Sequence, residues 1–278
     1  MSVYRQVFDE VILFQKSDPS RLYNLRCSQL PYCPRSVILN HAHKPGLMSL
    51  DMRGSFYVSV GTVVHTVMQS YLSQSGQFLA DYECKECGTK YPLSHVTECC
   101  GFPTLYEEVT IDVGTKKGKH GIQGHIDGIF KDSKGRYWII DFKTASVKGA
   151  VAKEKSPGEG YMRQVRAYAV LLRRQYGITV KGVMLIFIPR DNPRPENIKV
   201  WESTMSEKDF ENGIEELKAD KKLHKRTMHA TTLEEVLDLF KTRCGSPYCT
   251  HCKIPKSELP KIVKRILPKL PIQEQGKK

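Results

Sequence analysis

Residues 121–143, GIQGHIDGIFKDSKGRYWIIDFK, are the stretch that decides the fold. Apolar residues dominate on both sides of a central segment, 131–135, whose Lys, Asp, Ser, Lys and Gly are typical of a turn. The pattern therefore predicts two strands, 121–130 and 136–143, that are joined as an antiparallel hairpin.

The flanking sequence supplies further strands and helices on both sides of this hairpin. Apolar residues recur at helical spacing before it, and a near-continuous apolar run follows at 180–189, which is typical of a strand buried on both faces. The other predicted strands are 105–113 and 197–202. The predicted helices are 58–73, 159–176, 206–225 and 233–241, and a further helical stretch begins at 35. This order predicts a mixed α/β sheet with helices packed on it.

Three charged residues of the hairpin are the candidate catalytic group. Asp141 and Lys143 are two residues apart on one strand, so their side chains share a face, and hairpin pairing brings Asp127 beside Asp141. Charges on a central strand are costly to desolvate unless something compensates them, and a divalent cation would do so. Two carboxylates suit Mg²⁺ or Mn²⁺, and Lys143 beside such an ion would orient or activate a water. The alternative is a structural salt bridge between Asp141 and Lys143 at a sheet edge.

Polar residues on two predicted helices complete the candidate site. Gln164 and Tyr168 are four residues apart on the helix 159–176 and therefore share a face. His65 interrupts the apolar face of the helix 58–73, where a lone histidine is usually a core residue. The two carboxylates elsewhere make it a candidate ligand for the same ion.

Taken together, these motifs resemble the RecB-type branch of the PD-(D/E)xK nucleases, over about residues 30–252. The resemblance rests on motifs in the same order: His65, Asp127, Asp141-Phe142-Lys143 and Gln164-x-x-x-Tyr168. It implies an α/β, restriction-endonuclease-like core, with a mixed sheet flanked by helices. The implied ligands of the catalytic metal are His65, Asp127, Asp141 and the carbonyl of Phe142. The resemblance also implies that Lys143 is the catalytic lysine, and that Gln164 and Tyr168 support the site and the DNA strand.

The nine cysteines cluster along the sequence, which favours metal binding over disulfides in a reducing compartment. One group resembles a zinc ribbon with an irregular second knuckle: Cys84, Cys87, Cys99 and Cys100. Either Cys99 and Cys100 both bind Zn²⁺, or His95 replaces one of them. Bound zinc would fold an insert, 81–104, that is too short to have an apolar core of its own.

A second group, Cys244, Cys249 and Cys252, supplies three thiolates within nine residues, so a fourth ligand must come from elsewhere. Four thiolates suit a [4Fe–4S] cluster or a zinc ion. The triplet and the segment Tyr32-Cys33-Pro34-Arg35 resemble the iron–sulfur subgroup of the branch, which includes the AddB nuclease domain, the CRISPR-adaptation exonucleases and related phage exonucleases. This resemblance implies a [4Fe–4S] cluster with Cys33 as the fourth ligand, and Cys27 is the alternative. Such a centre would clasp the N-terminal segment to the C-terminal region.

The charge of the chain points to a polyanionic partner. The 43 basic and 30 acidic residues give a net charge of +13, which favours nucleic acid first. No apolar run approaches the roughly 20 residues that span a bilayer, and the N terminus lacks the apolar core of a signal peptide. We therefore expect a cytoplasmic protein, in a bacterial or phage-infected cell, without a membrane partner. The tail 253–278 has eight basic and two acidic residues, and lies along phosphates or forms a solvated arm.

These observations predict four regions and a function. The regions are a helical part of the nuclease domain at 1–80, the zinc-ribbon-like insert at 81–104, the nuclease core with its clasp at 105–252, and the basic tail at 253–278. The predicted function is metal-dependent DNA exonuclease activity on single-stranded ends, in recombination, repair or phage DNA metabolism, with a helicase, annealing or recombination protein as partner. The alternative is a catalytically weak nucleic-acid-binding or recombination-partner module on a nuclease scaffold. The presence of both carboxylates and the lysine favours the enzyme.

Overall fold

A computed structural model describes residues 25–42, 52–75, 77–113, 121–230, 232–244, 249–255 and 257–266. The expectations about residues 1–24 and 267–278 lie outside the described residues. Within the described part of the chain, no helix combines the length and the apolar character needed to cross a membrane.

Strands and helices are mixed along the described chain. The strands are β1 (Leu25–Arg26), β2 (Phe78–Glu83), β3 (Lys90–Ser94), β4 (Glu98–Cys99), β5 (Phe102–Pro103), β6 (Leu105–Glu107), β7 (Val109–Val113), β8 (Ile122–Ile126), β9 (Gly128–Lys131), β10 (Tyr137–Ala145), β11 (Val180–Pro189) and β12 (Lys199–Thr204). The helices are α1 (Pro34–Ala42), α2 (Met52–Gln74), α3 (Val147–Lys155), α4 (Glu159–Tyr176), α5 (Glu207–His229), α6 (Leu233–Lys241) and α7 (Leu259–Ile266).

The main sheet runs in the order β12–β11–β10–β9–β2–β3, and β6 also pairs with β2. Strands β10 and β11 are parallel, from the pair Tyr137–Val180 to the pair Ala145–Pro189. Helices α3 and α4 connect these two strands, because a parallel pair requires a long crossover. The other pairs along this path are antiparallel. The predicted mixed α/β sheet flanked by helices is therefore confirmed.

Helices cover both faces of the parallel pair β10–β11. One face packs against α4 through a shared apolar core that includes Ile139, Val183, Leu185 and Phe187. The other face packs against α2 through a smaller apolar group that includes Val64, Met68, Ile140, Phe142 and Ile188. Strand β11 is therefore covered on both sides, as its continuous apolar sequence predicts.

The predicted hairpin forms, but its first strand is broken at Asp127. Strands β9 and β10 pair around the turn 132–135, as far as the pair Gly128–Ile140. Strand β8 instead joins a second sheet, in the order β1–β8–β7. The expectation of one continuous strand over 121–130 is wrong, because the chain passes from one sheet to the other at Asp127. Glycine at 128 allows this crossing, since a Cβ there would lie 2.8 Å from Tyr106 Oη.

The strand predicted at 105–113 is also divided, and the reason is similar. Strand β6 pairs with β2 at the edge of the main sheet, whereas β7 pairs with β8 in the second sheet. Glu108 lies between the two. Helices α3 and α7 were not predicted, and α2 and α5 are longer than their apolar patterns indicate. Helix α7 packs on α6 through Ile262.

Candidate active site and cysteine clusters

Asp127 is held at the crossing between β8 and β9 by hydrogen bonds to two elements. Its Oδ2 accepts from the backbone N–H of Phe142 at 2.6 Å, beyond the end of the β9–β10 pairing. Its carbonyl accepts from Tyr106 Oη. Only 4% of the residue is exposed. These bonds place the Asp127 carboxylate beside the segment Asp141–Lys143, as predicted, although the strand pairing that was expected to do so ends one residue short of Asp127.

Asp141 and Lys143 lie on the same face of β10, as their spacing predicts. Lys143 Nζ is 2.6 Å from Asp141 Oδ2, and the two side chains are 17% and 3% exposed. Burial raises the pKa of Asp141 to about 6, even though Lys143 acts to lower it. Burial alone would lower the pKa of Lys143, but the Asp141 carboxylate raises it above its ordinary value. The Asp141–Lys143 ion pair, which the alternative interpretation treats as a structural salt bridge, is therefore present. It lies on a central strand between β9 and β11 and not at a sheet edge.

His65 reaches the same place from α2. Its Nδ1 is 3.2 Å from Asp127 Oδ1, and its ring lies edge-on to Phe142, with centroids 6.1 Å apart. Burial lowers the pKa of His65, but the hydrogen bond and charge of Asp127 outweigh this effect and raise it above its usual value. The structure thus brings the imidazole to Asp127, and Asp141 lines the same cavity.

Glu108 is a member of this group that the sequence analysis missed. One ligand atom from each of His65, Glu108 and Asp127 lies within 4.8 Å of the other two, and Gln69 Nε2 donates to Glu108 Oε1 at 3.0 Å. Burial and the neighbouring Asp127 raise the pKa of Glu108. A usable signal was present, because Glu107 and Glu108 are adjacent within the predicted strand 105–113. Adjacent residues of a strand point to opposite faces, so one of the two must face inward.

Gln164 and Tyr168 close the opposite wall of the site. They lie on α4, and Gln164 Nε2 donates to Tyr168 Oη at 2.8 Å. A cavity of about 250 Å³ lies between the elements that carry these groups. Its lining includes the predicted side chains and several that were not predicted: His65, Asp127, Asp141, Lys143, Gln164 and Tyr168, together with Arg26, Ser28, Glu108, Gln123, Gly124 and His125.

The side chains of this cavity fit a divalent cation by their chemistry. One oxygen each of Glu108 and Asp127 and one His65 nitrogen lie close enough to share an ion, and Asp141 lines the same cavity; such donors suit Mg²⁺ or Mn²⁺. Asp141 Oδ2 is buried and, apart from its ion pair with Lys143, has no hydrogen bond among the described residues. A cation would also offset the mutual repulsion of carboxylates held so close together.

The structure brings four cysteines together where the sequence predicts the clasp. Cys33 Sγ lies 3.6 Å from Cys249 Sγ and 3.7 Å from Cys252 Sγ, and Cys244 Sγ is 3.6 Å from Cys252 Sγ. Cys27 is outside this group, and burial raises the pKa of its thiol to about 12. Of the two alternatives for the fourth ligand, the geometry therefore favours Cys33.

The spacing of these sulfur atoms bears on what they hold. Four bonds of about 2.3 Å around one tetrahedral zinc ion separate the sulfurs by about 3.8 Å, close to the 3.6 Å between Cys33 and Cys249. In a [4Fe–4S] cluster each cysteine binds a different iron, which requires sulfurs farther apart. The donor set suits both groups chemically, whereas the described spacing fits one ion directly.

The second cysteine group lies at the tip of the insert. Cys99 Sγ is 3.8 Å from Cys87 Sγ and 3.7 Å from Cys100 Sγ, and Cys84 completes the set. Cys100 has a left-handed backbone, with φ of 54°, which turns its side chain out of line with that of Cys99. His95 Nδ1 is instead 3.0 Å from the carbonyl of Phe78. The geometry therefore favours the pair Cys99 and Cys100 over a histidine ligand.

Comparison with known proteins gives the following likenesses. The family described as PD-(D/E)XK nuclease superfamily matches residues 27–256. No curated protein matches the chain. Among solved structures, SSO0001 is 15% identical, covers 91% of this chain and 100% of its own, and has a TM-score of 0.45. LHK-Exo in complex with dAMP is 11% identical over 80% of this chain and 94% of its own, with a TM-score of 0.39. The alkaline exonuclease LHK-Exo from Laribacter hongkongensis is 12% identical over 78% and 96%, with a TM-score of 0.35.

Proposed function

The chain belongs to the PD-(D/E)XK nuclease superfamily, and on this premise we propose that it is a metal-dependent exonuclease that hydrolyses phosphodiester bonds of DNA. Nuclease chemistry and a DNA substrate follow from the family. The preference for ends over internal sites rests on the resemblance of its motifs to the RecB-type branch. The observation that carries the proposal is the meeting of Asp127, Asp141 and Lys143 in one cavity.

The carboxylates and His65 would hold the cation. Asp127 and Asp141 are buried and face one cavity, and His65 Nδ1 and a Glu108 oxygen lie beside Asp127. A cation bound there would supply Lewis-acid activation of a water and neutralise charge on the phosphate. The backbone bond from Phe142 keeps Asp127 in place before any ion arrives, which reduces the reorganisation needed on binding.

Lys143 would act on the phosphate or on the attacking water. An ammonium group has three N–H donors, and the Asp141 carboxylate occupies one side of it at 2.6 Å. The remaining donors make no hydrogen bond among the described residues and would stabilise negative charge that develops on the phosphate. Tyr168 Oη accepts from Gln164, so its own proton is available for a hydrogen bond to the DNA strand.

The substrate we propose is DNA with single-stranded ends. The net charge of +13 supports attraction to phosphates in general. By resemblance, the setting is recombination, repair or phage DNA metabolism in the cytosol, with a helicase, annealing or recombination protein as partner. The four regions of the sequence analysis, with boundaries at 80, 104 and 252, are part of the same proposal.

We also propose that both cysteine groups hold metal. The insert group would bind Zn²⁺ through Cys84, Cys87, Cys99 and Cys100. The clasp group would bind a [4Fe–4S] cluster, by resemblance, or one zinc ion, by sulfur spacing. Anaerobic purification separates the two: brown protein with about four irons per chain identifies the cluster, and colourless protein with two zinc ions identifies a second zinc site.

The test of the nuclease proposal uses anaerobically purified protein and end-labelled single- and double-stranded DNA, with Mg²⁺ or Mn²⁺. We expect Asp127→Ala and Asp141→Ala to abolish cleavage, and Lys143→Ala to lower it about 10²- to 10³-fold. The matched control is Lys218→Ala, which removes a lysine from an exposed ion pair with Glu215 and should leave cleavage unchanged. Near-wild-type cleavage by Lys143→Ala would refute its role. Wild-type protein that binds DNA but never cleaves it would favour the binding-module alternative.

A further inference from the structure

A fully buried arginine lies beside the clasp. Arg35 is 0% exposed and follows Cys33 by two residues at the start of α1. Its Nη1 donates to the carbonyl of Ile254, at 3.5 Å, and Ile254 follows Cys252 by two residues. The guanidinium therefore lies where the two cysteine-bearing segments of the clasp meet.

The charge of Arg35 has no carboxylate partner among the described residues, although other buried arginines have them. Arg166, for example, pairs with Glu216 and Glu159. Arg35 Nε and Nη2 are buried without a hydrogen bond among the described residues. The guanidinium carbon lies 6.0 Å from the centroid of the Phe240 ring, which belongs to an apolar cluster with Ile38 and Leu239.

An isolated charge in such surroundings is strongly unfavourable unless an opposite charge is near. The opposite charge available here is that of the four thiolates. Four thiolates on one Zn²⁺ carry a net charge of about −2, and four on a [4Fe–4S]²⁺ cluster carry the same. Both occupants of the clasp therefore present a negative centre next to the buried cation.

We propose that Arg35 is the internal counter-charge of the clasp, a positioning residue that retains the metal group by offsetting the negative charge of Cys33, Cys244, Cys249 and Cys252. The same pairing explains how the fold tolerates the arginine. The inference rests on the proposed metal centre and does not depend on nuclease activity. Partners outside the ligand shell typically change metal affinity about 10- to 100-fold.

The first test measures metal retention in a Cys84→Ser/Cys87→Ser background, in which the insert cannot hold its ion. We expect Arg35→Met to release the clasp metal to a chelator about 10- to 100-fold faster than the unsubstituted background, and Arg35→Lys, which keeps the charge, to stay close to it. Arg166→Met is the matched control, because it removes a buried arginine whose ion-pair partners, Glu216 and Glu159, are not residues of the clasp, and it should keep the metal. Retention by Arg35→Met equal to that of the background overturns the proposal.

The second test separates electrostatics from packing. In a Cys249→Ala/Cys252→Ala chain the metal group cannot form, so Arg35 becomes an uncompensated buried charge. We expect Arg35→Met to raise the melting temperature of that chain but to lower that of the intact one. If Arg35→Met lowered the melting temperature equally in both chains, the arginine would contribute only through the packing of its aliphatic stem, and the proposal would be refuted. If the cysteine variant shows no thermal unfolding transition, the metal-release measurement of the first test alone decides whether the proposal stands. Absence of both zinc and iron from the clasp of the wild-type protein would overturn the centre itself, whatever the cleavage assay shows.

Discussion

Replacing Gly124 with alanine tests how tightly the cavity is built. A Cβ at this position would lie 2.8 Å from Tyr168 Cε1 and 3.0 Å from Cys27 Sγ. Ordinary contacts between carbon atoms are about 3.5–4.0 Å, so the Tyr168 ring would have to move by about 0.7 Å or more. Tyr168 is 3% exposed and Cys27 is fully buried, so neither side chain can turn into solvent.

The expected effects of Gly124→Ala follow from that displacement. Overpacking of a well-packed core typically costs about 1–3 kcal/mol, which for a chain of roughly this size lowers the melting temperature by about 2–10 °C. The moved ring also shifts Tyr168 Oη and its bond to Gln164. Misplacement of a site group by about 1 Å can cost up to about 100-fold in rate, so we expect cleavage to fall about 10- to 100-fold.

Thermal unfolding and cleavage of end-labelled DNA, measured on the same preparations, check this prediction. Gly160→Ala is the matched control, because its Cβ would lie 3.8 Å from the carbonyl of Leu30, an ordinary contact, and alanine favours the helix. Adding Cys27→Ala to Gly124→Ala removes one of the two obstructions and should restore part of both losses. Gly124→Ala protein with wild-type melting and wild-type cleavage would refute the steric argument.

Three further predictions concern the ligands and the tail. Glu108→Gln removes a charge beside the cavity, so we expect about tenfold more Mn²⁺ to be needed for half-maximal cleavage. The control Glu107→Gln should behave as wild type. Equal Mn²⁺ requirements for Glu108→Gln and wild type would exclude Glu108 from the site. Cys33→Ser should lose the clasp metal and Cys27→Ser should keep it, and the reverse metal contents would contradict the geometry. Removal of residues 267–278 takes away three lysines and one glutamate, so the slope of log affinity for DNA against log salt should flatten by about 2 to 3; an unchanged slope would mean that this arm does not contact phosphates.

The parts of the fold that were predicted correctly are those decided by local periodicity. The continuous apolar run of β11 and the helical spacing of α4 need no knowledge of distant residues. The breaks at Glu108 and Asp127 differ from these elements. No proline or turn-forming run marks Glu108, and Asp127-Gly128 is a single turn-type dipeptide inside a strand-like apolar segment. Each break depends on where another part of the chain lies. For example, β6 pairs with β2 in one sheet, whereas β7 pairs with β8 in another.

The same distinction applies to the site. The two-residue spacing of Asp141 and Lys143 was sufficient to place them on one face, and the structure gives the ion pair directly. The contact of Asp127 with Phe142 was not foreseen. In a continuous strand a backbone carbonyl would accept the bond from the Phe142 N–H, whereas here the Asp127 carboxylate accepts it. Glu108 reaches the site only because the chain changes sheets beside it. Sequence spacing therefore identifies ligands on one element, whereas ligands that depend on a crossing between sheets require the structure.

The clasp and the cavity are joined by one short segment of chain, 25–33. At one end, β1 pairs with β8 through Leu25 and Arg26, and Arg26 and Ser28 line the cavity. At the other end, Cys33 lies in the four-cysteine group. Because so few residues separate the two ends, a metal ion or cluster bound in the proposed clasp would tie this wall of the cavity to the C-terminal region, in addition to the hydrogen bond from the backbone N–H of Tyr32 to Asp220. A metal centre at this position would thus have a structural consequence for the cavity that requires no electron transfer, since holding a segment in place in advance lowers the cost of forming the site.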